Sequence, residues 1–218
     1  MKFACSILGL MALIILGVAP VQATVVTSLP DGTIIDMPVV NYFGPGPQVF
    51  GPEITWSSTN QATDLFGSVF GYNGPYGFGG NGSWDGIVMA GLNSSFDLSG
   101  AQNTMMFEFN TPVYAVGGYL NYLPGGSTPT TIAVYDVDGG LLEDLSLTFL
   151  TDPSVDNPNV FYGFREASPI IGSFALTDNY IGISDLTIVS PVPEPASIVL
   201  FGPGLCVLGF ASLRRKQK

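Results

Sequence analysis

The residues with the clearest chemical potential stand in an aromatic, glycine-rich stretch, residues 71–86. It contains four aromatic candidates for stacking on sugar rings, Tyr72, Tyr76, Phe78 and Trp84. Aromatic faces pack on the apolar faces of sugars, and nearby amides can hydrogen-bond hydroxyl groups. The alternative is a surface loop whose aromatic side chains cover the edge of the fold. This alternative is favoured, because ordering a mobile glycine-rich loop on a ligand is entropically costly.

Carboxylates stand in two places where they could hold calcium, which prefers oxygen ligands. In the segment Asp136–Gly140 two aspartates lie two residues apart before glycines, but a hairpin turn explains the same residues without a metal. Asp185 lies in an otherwise apolar segment, with Glu108 or Asp97 as its candidate partner. The favoured alternative places Asp185 on the polar face of a strand. A structural calcium ion is therefore an open expectation.

No pair of acidic residues is singled out for catalysis. Glycoside hydrolysis needs two carboxyl groups about 5–10 Å apart in a cleft, and no spacing connects the candidates Glu53, Glu108 and Glu143. Residues 24–190 contain no histidine, lysine or cysteine, so Ser-His acyl transfer and phosphoryl transfer lack their usual parts. We therefore expect a protein that is not an enzyme.

Acidic residues dominate residues 24–190. Sixteen carboxylates stand against the single cation Arg165, which gives this region a net charge of −15. A field of this sign repels nucleic acid, so no nucleic-acid partner is expected. It favours cations, although the solubility of an exported protein would explain the acidity equally well.

The elements that must position these residues are predicted to be strands. Runs of β-branched and aromatic residues are separated by glycine and proline, which exclude long helices before residue 196. The predicted strands are 33–40, 53–57, 65–70, 87–90, 94–98, 105–110, 113–122, 130–135, 142–150, 160–165, 170–177 and 181–189. Many short strands with turn signals at this spacing predict an all-β fold, an antiparallel β-sandwich of jelly-roll type.

The N-terminus has the layout of a signal peptide, residues 1–23. Lys2 precedes an apolar stretch from Ile7 to Val18, and Val21 to Ala23 fit a cleavage site. Thr24 is then the first residue of the mature chain, and residues 24–190 form one exported domain. An uncleaved membrane anchor is the alternative.

The C-terminal residues 191–218 combine prolines, an apolar segment and a basic cluster. The segment 196–213 carries no charge and has about the minimum length of a membrane-spanning helix. The basic residues of 214–218 predict a cytoplasmic end, so residues 24–190 would lie across the membrane. The residues of the motif and cluster are Val192, Pro193, Glu194, Pro195, Arg214, Arg215 and Lys216.

This tail resembles the PEP-CTERM sorting signal of Gram-negative bacteria, also catalogued as an ice-binding-protein C-terminal domain. The resemblance implies that an exosortase recognises Pro193-Glu194-Pro195 and cuts nearby, in a cell that exports exopolysaccharide. Residues 105–190 also look like the β-sandwich domains of other exported proteins with this tail, whose functions are mostly uncharacterised. Pro203 inside the span departs from a regular helix. An ordinary tail anchor without processing is the alternative.

These observations predict a protein that is exported across the inner membrane, anchored at first by residues 196–213. After processing we expect it at the cell surface or in the extracellular matrix, associated with exopolysaccharide and biofilm. Two alternatives remain open: a polysaccharide-active hydrolase or lyase, and a structural or adhesive surface protein without a small ligand.

Overall fold

A computed structural model describes residues 23–93, 102–126, 128–178 and 180–191. Within these ranges the chain forms sixteen strands and one short 3₁₀ turn, Gly79–Asn81, so this part of the protein is all-β. No helix among the described residues is both long and apolar enough to cross a membrane.

Several predictions concern residues outside the described ranges. These are residues 1–22 of the predicted signal peptide 1–23, the strand at 94–98 with Asp97, and residues 192–218 of the predicted tail 191–218, with its membrane span 196–213. They stay predictions.

Most of the strands are short, as the frequent glycines and prolines predict. In chain order the described strands are β1 Thr24–Val26, β2 Thr33–Ile34, β3 Tyr42–Phe43, β4 Gln48–Phe50, β5 Ile54–Ser58, β6 Val69–Tyr72, β7 Tyr76–Gly77, β8 Ser83–Trp84, β9 Met89–Leu92, β10 Asn103–Val113, β11 Ala115–Tyr122, β12 Thr131–Asp136, β13 Leu141–Ser146, β14 Phe161–Arg165, β15 Ile171–Asp178 and β16 Ile181–Val189. The longest, β10, β11, β15 and β16, all come from predicted segments.

The strands form two large antiparallel sheets. One has eight strands in the order β1-β14-β11-β16-β9-β6-β3, with β2 also paired to β16. The other has six strands in the order β13-β12-β15-β10-β5-β4, and β7 and β8 form a separate small hairpin. Apart from the hairpins β12–β13 and β4–β5, strands that are neighbours in each large sheet come from distant parts of the sequence, so their pairing could not be predicted from local signals.

The two sheets pack face to face around a common apolar core, as in a β-sandwich. Trp56 of the six-stranded sheet lies 5.2 Å from Phe70 of the eight-stranded sheet, measured between ring centroids. Phe164 and Phe174 make a second contact across the layers at 6.3 Å. Burial alternates along β10, where Phe107 is buried and Glu108 is exposed, because successive strand residues face opposite sides.

A second, smaller core lies on the outer face of the eight-stranded sheet. Residues 72–86, which we call the cover, fold over this face and bury Tyr76, Phe78 and Trp84 there. Gly182 of β16 makes the close approach possible. A Cβ at this glycine would stand 3.0 Å from Phe78 and 3.1 Å from Trp84.

Hydrogen bonds to buried amides and carbonyls hold the cover in place. The side-chain amide of Asn81 donates to the carbonyl of Tyr122 at 3.1 Å, and the amide of Asn121 donates to the carbonyl of Asn81 at 2.7 Å. The indole N–H of Trp84 donates to the carbonyl of Pro158 at 3.2 Å. Buried polar groups in the cover are thus satisfied by specific partners, which fixes its orientation on the sheet.

The hairpin turn predicted at Asp136–Gly140 is confirmed, and it joins β12 to β13. Four residues, 137–140, connect the two strands, and of these only Gly139 has a positive φ, of 82°. The carboxylate of Asp136 accepts the backbone N–H groups of Asp138 at 2.9 Å and Gly140 at 2.7 Å. These bonds account for the aspartate and the glycines without a metal ion.

Candidate functional site

A groove runs over the half of the eight-stranded sheet that the cover leaves open. One side is the segment 27–37, which leads from β1 through β2. The other side is the end of the cover at Gly86, together with Ile87, Val88 and Asn159. Two adjoining cavities, of about 490 Å³ and 320 Å³, make up this groove and share Ile34 and Asn159.

Aromatic rings form the floor at one end of the groove. Tyr119 on β11 and Phe161 on β14 are direct cross-strand neighbours, with ring centroids 5.6 Å apart and planes at 88°. Both side chains are half-buried, so part of each ring surface faces the larger cavity. The neighbouring Gly117 makes room for them, because a Cβ there would stand 2.8 Å from Cε1 of Phe161.

Polar groups surround the aromatic pair. Ser28 and Asn159 are exposed on opposite sides of the larger cavity, and Thr187 lies on its floor. The Thr187 hydroxyl donates to the carbonyl of Asp185 at 2.8 Å, which leaves its oxygen available as an acceptor. An apolar ring surface with hydroxyl and amide groups at its margin is suited to a ligand with both apolar and hydroxylated faces.

Two exposed carboxylates, Asp36 and Asp185, line the smaller cavity at the other end. Asp185 stands at a bulge of β16, where Asp185 and Leu186 both lie opposite Gly118, and its φ is +48°. A bulge turns a side chain away from the regular strand direction. This explains how Asp185 is exposed in a strand that is otherwise buried.

The charge of the groove is negative. Arg165 is the single basic residue of 24–190, and its guanidinium pairs with Asp31 at 2.5 Å. The hydrogen bond from Arg165 lowers the pKa of Asp31 below its ordinary value. The described side chains that line the groove therefore include no cation to receive an anionic ligand.

The structure corrects the prediction that the aromatic residues of 71–86 stack on sugar rings. Tyr76, Phe78 and Trp84 are 5%, 0% and 1% exposed, so protein atoms cover their ring faces. Burial raises the pKa of the Tyr76 phenol well above its ordinary value. Tyr72 is half-buried against the same core. The alternative of a covering loop describes all four residues better.

The predicted calcium pair also needs correction. Asp185 lies in the eight-stranded sheet and Glu108 in the six-stranded sheet, and both side chains are exposed on outer faces. Opposite faces of a sandwich cannot supply ligands to one ion. Glu108 instead lines a cavity of about 680 Å³ with Tyr135 and Asp136. The described residues contain no group of three His, Cys, Asp or Glu side chains placed to hold a metal.

The three catalytic candidates all lie on or beside the six-stranded sheet, but not all at one place. The carboxylate of Glu53 accepts a hydrogen bond from the amide of Asn110 at 2.7 Å, at the β5–β10 end of the six-stranded sheet. Glu143 lies on β13 at the opposite edge of that sheet. Glu108 lies on β10 two residues from Asn110, on the same face, so only Glu143 is separated from the other two candidates.

Sequence reasoning missed Tyr119, Phe161, Asn159 and Asp36. The pair of glycines before Tyr119 could have indicated this site. Glycines have no side chains to cover an aromatic residue that points outward from a strand. Recognising the groove also required the pairing of β11 with β14, which no local pattern reveals. No protein-family model, no curated protein and no solved structure matches the chain.

Proposed function

We propose that this chain is an exported, non-enzymatic glycan-binding protein of the cell envelope or extracellular matrix. Its site is the groove on the outer face of the eight-stranded sheet. The observation that carries the proposal is the half-buried pair of Tyr119 and Phe161 inside a cavity of about 490 Å³. Sugar rings offer apolar C–H faces to aromatic rings, and hydroxyls to groups such as Ser28 and Asn159.

The charge distribution narrows the class of glycan to neutral saccharides. An anionic polysaccharide would meet a region of net charge −15 whose one cation, Arg165, is already paired with Asp31. Asp36 and Asp185 can accept hydrogen bonds from hydroxyl groups at the far end of the groove. Because the two cavities adjoin, a chain of several sugars fits the site better than a monosaccharide.

Export and sorting are part of the same proposal. The signal peptide sends the chain across the inner membrane, and the tail anchors it through residues 196–213 until an exosortase recognises Pro193-Glu194-Pro195. The resemblance of this tail to PEP-CTERM signals supports the assignment to an exopolysaccharide-producing cell. Within the proposal the two sheets have jelly-roll topology, an architecture shared with lectin domains.

The test uses the protein recovered from cells, first on a glycan array and then by calorimetry with a neutral oligosaccharide that binds. Tyr119→Ala removes a ring face that would cover about 50 Å² of sugar, or about 1.2 kcal/mol, close to tenfold in Kd. Tyr119→Phe keeps the ring and should bind nearly as well as the wild type. Tyr135→Ala, on the outer face of the other sheet, is the matched control and should leave Kd unchanged.

Two results would overturn the binding site. In the first, Tyr119→Ala is folded and binds the glycan as tightly as the wild type does. In the second, Tyr119→Ala and Tyr135→Ala lose affinity for the glycan equally. Depolymerisation of the bound glycan, abolished by Asp185→Asn, would replace the non-enzymatic proposal with a hydrolase.

A further inference from the structure

Glu166, directly after β14, is a buried carboxylate with an unmet hydrogen-bonding atom. The residue is 5% exposed, and its Oε1 has no hydrogen-bond partner in the described structure. The backbone N–H of Ala167 bonds to the carboxyl group, while burial and the nearby Glu143 raise its pKa. Among the described residues no cation pairs with this carboxylate to compensate its loss of solvation.

The predicted cleavage site lies directly beside this carboxylate. In the antiparallel pairing of β1 with β14, Thr24 stands opposite Arg165 and Val25 opposite Phe164. Extending this register by one residue sets Ala23 opposite Glu166. Ala23 is itself 5% exposed and belongs to the main core, so its side chain occupies buried space on the side that Glu166 faces.

The directions of the backbone hydrogen bonds bring the nitrogen of Thr24 close to Glu166. The N–H of Glu166 donates to the carbonyl of Tyr114 on the β11 side at 2.7 Å. Hydrogen-bonding directions alternate along a strand, so the carbonyl of Arg165 points the other way, toward Thr24 on β1. The backbone nitrogen of Thr24 therefore lies next to the peptide unit that joins Arg165 to Glu166.

Residues 24–190 offer few cations that could fill the role. They contain no lysine and no histidine, and Arg165 is paired with Asp31. Cleavage after Ala23 would create one new positive group, the α-ammonium of Thr24, with an ordinary pKa of about 7.7–8.0. An α-ammonium has three N–H donors. It can therefore form both the backbone hydrogen bond of a strand and a salt bridge to a carboxylate, with one donor remaining.

We infer that Glu166 is a binding site for a primary ammonium, and that its ligand is the α-amino group that Thr24 acquires when the leader is removed. The inference rests on the export proposed above. Cleavage removes Ala23 from its buried position and leaves the new ammonium between the Arg165 carbonyl and the Glu166 carboxylate. Processing thereby supplies a partner that Oε1 does not have among the described residues, and the mature domain becomes more stable than its precursor.

The experiment uses the exported protein and its Glu166→Gln variant, both purified from cells. Intact mass first establishes the N-terminal residue. The α-amine is then acetylated near neutral pH, which is selective within the domain because residues 24–190 contain no lysine. Lys216 and Lys218, if the tail is retained, react equally in both proteins and serve as an internal reference.

Acetylation should lower the melting temperature of the wild type by about 2–6 °C and leave that of Glu166→Gln unchanged. In the untreated proteins the pKa of the α-amine, followed by NMR, should lie about one unit above its ordinary value in the wild type only. The glutamine variant keeps the shape of the side chain, so a folded control is available. Differences between the four samples isolate the ammonium–carboxylate coupling from general effects of acetylation.

Two different failures are distinguishable. A mass that retains the leader, or begins elsewhere than Thr24, contradicts both the predicted processing and the ammonium site. A chain that begins at Thr24 but shows equal melting shifts in both proteins, or an ordinary α-amine pKa, overturns the Glu166 site alone and leaves export intact.

Discussion

Replacing Trp84 by alanine separates the two roles that its sequence context allows, a sugar-stacking residue and a structural one. In the structure the indole is 1% exposed and packs edge to face on Phe78 with ring centroids 4.9 Å apart. Its N–H donates to the carbonyl of Pro158, which ties the cover to the segment before β14. We therefore expect Trp84→Ala to act on stability, and on binding only through the loss of structure.

The expected cost is large relative to the stability of a domain. Truncating a buried tryptophan costs about 3–5 kcal/mol through lost burial and the cavity left behind. The unmet carbonyl of Pro158 adds about 1 kcal/mol. Trp84→Phe keeps most of the burial but loses the hydrogen bond, and should cost about 1–2 kcal/mol. Against a total stability of about 5–15 kcal/mol, the alanine variant should unfold at far lower denaturant concentration.

The assay is urea unfolding followed by fluorescence and circular dichroism, with glycan binding measured on the same preparations. Leu65→Ala is the control, because this apolar side chain is 75% exposed and its loss should change the unfolding midpoint little. The reasoning is refuted if Trp84→Ala keeps the wild-type midpoint and loses binding, since Trp84 would then contact the ligand.

Two further predictions concern the groove and its neighbouring ion pair. Gly117→Ala places a Cβ 2.8 Å from the Phe161 ring, so it should lower the free energy of unfolding by about 1–3 kcal/mol and abolish glycan binding. Gly77→Ala, whose new Cβ would have no atom within 4 Å, should change neither stability nor binding. Equal effects of the two variants in urea unfolding and in calorimetry would count against the groove as the binding site. Arg165→Gln removes the partner that lowers the pKa of Asp31. The ion pair stabilises the fold at pH values above the unfolded pKa of the aspartate, about 3.9, and this stabilisation is lost as pH falls through the lower pKa of the folded state. The melting temperatures of the variant and the wild type should therefore converge in acid. A difference in melting temperature that stays constant from pH 7 to pH 3 would contradict this.

The fold class could be predicted from the sequence because strand periodicity is a local property. The predicted segment 105–110 lies within β10, and 181–189 coincides with β16. Prediction failed where strands have only two or three residues, as in β3, β7 and β8, since such short pieces carry no alternation. It also failed for 33–40, where only Thr33–Ile34 is a strand, and the residues up to Met37 form one side of the groove.

The site was harder to predict because it depends on contacts between distant residues. An aromatic residue between glycines can be either exposed to solvent or buried in a core. The local sequence does not determine which of the two occurs. Phe78 and Trp84 are buried because Gly182, about a hundred residues away, leaves space above β16. The sequence singles out the carboxylate of Asp185 within an apolar strand, but its exposure follows from a bulge that only the pairing with β11 reveals.

The cover is continuous with one side of the groove. The glycine-rich segment would therefore contribute to ligand binding by positioning that side, without direct contacts from its buried aromatic residues. Gly86 at the end of the cover, with Ile87 and Val88 directly after it, forms one side of the smaller cavity. The aromatic residues buried within the cover therefore set the position of this side relative to the fixed sheet. Substitutions in the small core should change ligand affinity by moving Gly86 to Val88, whereas substitutions at Tyr119 act by removing a contact. The two mechanisms differ in their effect on stability, because only the first weakens the fold in proportion to the loss of binding.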